Sequence, residues 1–203
     1  MISSKSIVIA LVACILVGCA APAWAGIGVR GGFMKPRGDF KEFAANGWRA
    51  EITANLNVFK LPFVSTVVAF SAIDFGKKSS GWVSDGDLVT QESKTGLTGG
   101  GVGLRIQPPT MMIKPFAEAL VRIASIEQDY ESGLGGSELK SRTKIGYQIN
   151  VGLEFAIAPK VGAEAGATWM NFSSAKFKSQ QQEVEIDLQA FGLFAGLNLG
   201  IGL

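Results

Sequence analysis

The sequence predicts an all-β fold: an eight-stranded antiparallel up-and-down transmembrane β-barrel, preceded by an N-terminal signal peptide. Three observations predict it. Apolar and polar residues alternate with period two in one segment after another. The links between segments are short and long in turn. The polar face carries glycine and charges of both signs. Composition agrees, since 203 residues at 47% hydrophobic and 18% charged are too apolar for disorder. With 19 Lys+Arg against 17 Asp+Glu there is no basic excess, which argues against a nucleic-acid partner. The chain has no His, so imidazole catalysis and His-ligated metals are excluded.

Met1 to Ala25 read as an address. Lys5 supplies a positive charge, Ile7 to Val17 an apolar run, and Ala23-Trp24-Ala25 a small-residue cleavage point. The run falls short of the ~20 residues a spanning helix needs. Residues 1–25 are therefore expected to be a signal peptide and 26–203 the barrel domain. A rival cut is open: Leu16-Val17-Gly18-Cys19 resembles a bacterial lipobox, which would make Cys19 a lipidated first residue. Cys14 and Cys19 are the only cysteines, so residues 26–203 contain no disulfide.

The eight strands follow in order. Gly26–Pro36 is extended but irregular. In the second, Trp48, Ala50, Ile52, Ala54, Leu56 and Val58 alternate with Arg49, Glu51, Thr53, Asn55 and Asn57. Val64–Gly76, the third, is apolar on both faces, so its register stays open. Gly96–Gln107 is glycine-rich, as suits a strand that bends or has close neighbours. In Ile113–Ile126 the face of Ala117, Ala119, Val121 and Ile123 opposes Glu118 and Arg122, with Phe116 and Leu120 joining the polar side. The sixth sets Ile145, Tyr147, Ile149, Val151, Leu153, Phe155 and Ile157 against Lys144, Gln148, Asn150 and Glu154. Val161 to Trp169 and Phe191 to Leu203 alternate in the same way. Short links at Lys60–Phe63, Gln107–Met112 and Ala158–Lys160 would share one rim. Long polar links at Arg37–Gly47, Lys77–Lys94, Glu127–Thr143 and Ser173–Glu185 would share the other.

A soluble lipid carrier would turn the apolar face inward, whereas a membrane barrel turns it outward. The apolar strips approach the ~9–11 residues of a tilted spanning strand, which favours the membrane. The interior would then hold Arg30, Arg49, Arg105, Arg122 and Lys144 with Glu51, Glu118, Glu154 and Glu164. In so narrow a bore these charges must pair, either as a packed polar core or as the gate of a conduit. Phe33, Trp48, Phe75, Tyr147, Trp169 and Phe191 fall toward the long-link ends, as an aromatic girdle would.

These features resemble the small bacterial outer-membrane β-barrels of the OmpA/OmpX-like, porin-related kind. The likeness rests on a signal peptide running into Gly-Ile-Gly-Val-Arg-Gly-Gly-Phe, the eight alternating strands, and the alternating C-terminal strand. It implies outer-membrane lipid and the barrel assembly machinery as partners. Such families usually end in Phe or Trp, whereas this chain ends in Leu203, preceded by Ile201, Leu199 and Leu197.

Other motifs carry less. Gly26 to Gly31 fits G-x-G-x-x-G, but no strand precedes it and no helix follows, as a dinucleotide site requires. Gly192, Gly196 and Gly200 fit a helix-dimer spacing as well as one face of a strand, and the strand suits the segment better. Paired carboxylates at Asp85 with Asp87, and at Glu183, Glu185 and Asp187, read as solvated charge. The expectation is a non-enzymatic barrel without cofactor or metal, whose long loops do structural or surface-interaction work on an unknown surface ligand. Its contact face would include Phe40, Phe43, Trp82, Tyr130 and Phe177. The alternative is a narrow pore for ions or small solutes.

Overall fold

The computed structural model describes residues 25–59, 61–84, 87–108, 112–132, 135–179 and 182–201, with side chains at 26–79, 92–127, 143–173 and 186–200 among them. The expected signal peptide up to residue 24, the lipobox with Cys19, and Leu203 lie outside the described residues. The elements are β1 (Ala25–Arg37), α1 (Phe40–Phe43), β2 (Gly47–Leu56), β3 (Val64–Ser84), β4 (Asp87–Ile106), β5 (Ile113–Ser132), β6 (Gly135–Ala158), β7 (Val161–Ser179) and β8 (Gln182–Ile201). Each strand pairs antiparallel with the next, and β1 pairs with β8 to close the barrel. Closure satisfies every wall strand on both edges.

Alternation decides which side chain faces where. Ile27, Val29, Ile52, Val102, Leu104, Val121, Val151 and Leu197 stand exposed on the outer surface. Their neighbours Arg30, Glu51, Thr53, Arg105, Glu118, Arg122, Asn150 and Asn198 are buried inside. Glycine makes room for the large inner side chains. A Cβ on Gly196 would lie 2.9 Å from Arg30 Cγ, and one on Gly101 2.9 Å from Arg122 Cγ. Cβ atoms on Gly166 and Gly152 would meet the ring tips of Phe194 and Phe116 at 2.9 and 2.8 Å.

Three of the four expected long links are not loops. The β3–β4 ladder runs on from Lys77↔Lys94 to Ser84↔Asp87, β5–β6 from Gln128↔Leu139 to Ser132↔Gly135, and β7–β8 from Ala175↔Ile186 to Ser179↔Gln182. Polar sequence read as loop because beyond an apolar belt neither sheet face need be apolar, yet hairpin pairing still satisfies the backbone. Register breaks at Asp74/Lys77, Ile126/Gln128 and Phe172/Ala175 mark the level where wall becomes ribbon. Above it β2–β3 pairing has ended at Trp48↔Asp74, and β6–β7 pairing at Gly146↔Phe172. The wall therefore splits into a four-stranded sheet, β3 to β6, and a separate β7–β8 ribbon.

The fourth link, between β1 and β2, contains the single turn of α1, closed by Ala44 N–H donating to Phe40 O at 3.0 Å. Four residues are too few to show helical periodicity. Phe40 corrects the surface reading: it is buried and meets Phe75 edge-on, ring centroids 4.9 Å apart. Phe43 is half-buried against the same cluster. Phe75 is a second correction, because it belongs to the inward face rather than the girdle. β3 places Val67, Ala69, Ser71, Ile73 and Phe75 inside, a register that two apolar faces could not reveal. The side chains of Trp82, Tyr130 and Phe177 lie outside the described residues.

Candidate functional site

The bore has two zones. Toward the short-turn rim and through the middle it is charged. Toward the ribbons it is apolar.

Arg30 on β1 is the hub of the charged zone. Its Nη1 and Nη2 donate to Glu118 Oε2 and Oε1 at 2.7 and 2.6 Å, a two-pronged pair. Its Nε donates to Glu164 Oε1 at 2.5 Å, and Nη1 also reaches Glu51 Oε1 at 3.3 Å. Arg105 on β4 donates to Glu118 at 2.9 Å, Glu164 at 3.1 Å and Glu154 at 2.7 Å. Arg122 on β5 donates to Glu51 at 2.9 Å, Gln148 at 2.5 Å and Ser71 Oγ at 2.7 Å. Arg49 pairs with Glu51 and donates to Thr168 Oγ1 at 2.9 Å. Eight of the nine expected bore charges thus come together from β1, β2, β4, β5, β6 and β7. Lys144 stands one rung above Arg122, half-buried beside Ala124. The cluster below it sets four guanidinium groups against four carboxylates.

Amides complete the shell. Asn150 Nδ2 donates to Glu118 at 2.7 Å, and Asn198 Nδ2 to Glu164 at 2.9 Å. Gln148, Asn150 and Asn198 share the polar parity of their strands, so their inward placement was legible, though their partners were not. Ser71 was hidden by the open register of β3. Two rings also contact the cations: Phe116 lies 3.9 Å from the Arg105 guanidinium carbon, and Phe194 5.1 Å from that of Arg30. Burying this many charges is tolerable only because each carboxylate has several donors.

Above the charges, Met34, Ile73, Phe75, Leu97, Ile126, Met170, Phe172, Ile186 and Leu188 pack with Phe40 across the mouth. Ser93 Oγ donates to Phe43 O at 3.0 Å, and Lys78 Nζ donates to Lys41 O, tying α1 to the β3–β4 ribbon. Outside, Phe33, Trp48, Tyr147, Trp169 and Phe191 stand exposed near the rim. Phe33 and Trp48 are direct cross-strand partners, and Tyr147 meets Trp169 edge-on at 6.4 Å. The Gly26–Gly31 motif lies within β1, extended, with no helix behind it. No group of metal-ligating side chains occurs among the described residues.

A closed, up-and-down, eight-stranded barrel with an apolar exterior and a charged interior is the fold of small outer-membrane β-barrel proteins. Solved structures carry that likeness. Neisserial surface protein A matches at a TM-score of 0.59 and 17% identity, over 89% of this chain and 98% of that one. A major outer membrane protein from Thermus thermophilus matches at 0.53 and 9% identity, over 87% of this chain and 99% of that one. No protein-family model matches the sequence, and no curated protein matches it.

Proposed function

We propose that this protein is a non-enzymatic barrel of the bacterial outer membrane, with a closed bore and a surface-interaction role carried by its ribbons. The observation that carries the reading is the contrast between a filled interior and a split, projecting crown. Between the Arg–Glu cluster and the apolar mouth the bore is packed with side chains, as expected for eight strands. Above the wall, among the described residues, β3 has no ladder partner on its β2 side and β6 and β7 none on the sides that face each other. Unpaired edges and loops on a rigid scaffold are where contacts with other molecules form. Outer-membrane lipid would cover the apolar belt, and the assembly machinery would insert the barrel.

Two experiments test this. Outer-membrane fractions should contain a form that migrates differently on gels before and after heating, and recovery in the soluble periplasm would refute the membrane reading. Shortening the β3–β4 ribbon by residues 79–92 should abolish surface binding while the barrel still folds. Undiminished binding would remove the ribbon from the interaction. The pore alternative predicts stepwise conductance in planar bilayers, and the packed bore predicts none.

A further inference from the structure

The link between β1 and β2 joins two parts of the molecule that otherwise stand apart, the mouth of the bore and the β3–β4 ribbon. Gly38, with a positive φ of 57°, follows the end of β1 and turns the chain over the mouth. The link then makes the single turn of α1 and sets Phe40 into the apolar cluster, edge-on to Phe75. On its way back it passes β3 where β3 parts from β2, since a Cβ on Gly76 would lie 3.4 Å from Asn46 O. α1 rests on β1 and β8 at one side and is tied to the ribbon at the other, so it spans the opening.

Little within α1 holds it in place. Ala44 N–H donating to Phe40 O closes the turn, and Asp39 supplies no side-chain cap. Helix ends leave carbonyls without intrahelical partners, and a single turn is mostly ends. The ribbon meets two of these carbonyls: Lys78 Nζ donates to Lys41 O, and Ser93 Oγ to Phe43 O at 3.0 Å. Lys78 and Ser93 are direct cross-strand partners, so one rung of the ribbon makes both ties.

We propose that α1 is a stopper latched by the Lys78–Ser93 rung, so that moving the β3–β4 ribbon unseats Phe40 and opens the apolar mouth. Gly38 is the hinge, and the Arg–Glu cluster beneath keeps the bore closed. Ribbon and mouth are then two ends of one equilibrium, and the coupling acts equally in both directions. A partner that engages the ribbon would thereby open the mouth. That use rests on the surface role proposed above, whereas the coupling itself does not.

Thiol labelling of the folded full chain in detergent micelles tests the coupling with no partner present. Cys14 and Cys19 are changed to Ala, so an introduced thiol is the only one. Met34→Cys reports on the mouth and Ala69→Cys on the bore beneath it, both at buried positions. Adding Lys78→Met/Ser93→Ala should speed labelling at Met34→Cys about tenfold, as the loss of one or two hydrogen bonds implies, and leave Ala69→Cys unreactive. Lys78→Arg/Ser93→Thr, which keeps both donors, should keep the slow rate. In the opposite direction, Phe40→Ala should quicken amide exchange at residues 77–79 and 92–94. Unchanged labelling at Met34→Cys in the Met/Ala variant would overturn the stopper. Equal acceleration at Ala69→Cys would show a wall loosened as a whole and overturn the latch. Ribbon exchange that ignores Phe40→Ala would overturn the coupling.

Discussion

Replacing Arg30 with Met would remove the one side chain that touches Glu51, Glu118 and Glu164 together, leaving three guanidinium groups facing four carboxylates. Breaking a buried ion pair from one side costs about 3–5 kcal/mol, because the remaining charge has neither water nor counter-charge. Glu118 bears most of that cost. It loses donors at 2.6 and 2.7 Å and keeps Arg105 at 2.9 Å and Asn150 at 2.7 Å. Lost contact with the Phe194 ring adds to this by about 0.5–2 kcal/mol. Arg30→Met should therefore lower unfolding free energy by about 4 kcal/mol, near three decades in the equilibrium constant. The informative comparison is Arg30→Met/Glu118→Gln, which restores neutrality. It should be more stable than Arg30→Met alone by about 1–2 kcal/mol, although it removes a second charge. Equilibrium urea unfolding in phospholipid vesicles, read by tryptophan fluorescence and unheated gel mobility, measures both. If the double variant falls below Arg30→Met, or if Arg30→Met lies within about 1 kcal/mol of wild type, charge balance is not what holds the bore together.

Three further outcomes are expected. Val151→Lys, on the outer face of β6, should cost about 2–4 kcal/mol in a bilayer, and a neutral effect in vesicle unfolding would mean this face meets water. Gly103→Val should prevent barrel formation, because its Cβ would collide with the backbone carbonyl of Ala119, while Gly31→Ala, with open space around it, should leave gel mobility and stability unchanged. Phe40→Ala should destabilise the mouth by about 3 kcal/mol, seen as faster hydrogen exchange at residues 40–44 with the wall amides unaffected; a global loss of protection would show that mouth and wall unfold as one unit.

Sequence pattern was informative where the two faces of a strand meet different surroundings. β2, β6 and β8 each place an apolar set against a polar one, and their inward residues could be read directly from parity. β3 could not be read so, because Val67, Ala69 and Ile73 fill the bore while Val68 and Phe70 face outward. Its register determines where Phe75 points, and Phe75 turns inward while Phe33, Trp48, Tyr147, Trp169 and Phe191 stand on the outer face. The ribbons escaped for the opposite reason: their polar sequence offers no sustained apolar set to alternate with a polar one. Arg30 and Glu164 lie 134 residues apart, and parity shows that both face inward but not that they meet. Only the closure of β8 onto β1 brings their strands close enough.

The pairing of large inner side chains with glycines has an evolutionary consequence. Gly196 accommodates Arg30, Gly101 accommodates Arg122, and Gly166 accommodates Phe194, each on a neighbouring strand. Neither member of such a couple can drift alone, since a bulkier wall residue collides and a smaller inner residue leaves a hole. Related barrels should therefore exchange bulk between adjacent strands in matched steps. The bore's volume would be inherited more faithfully than the identity of any residue that fills it.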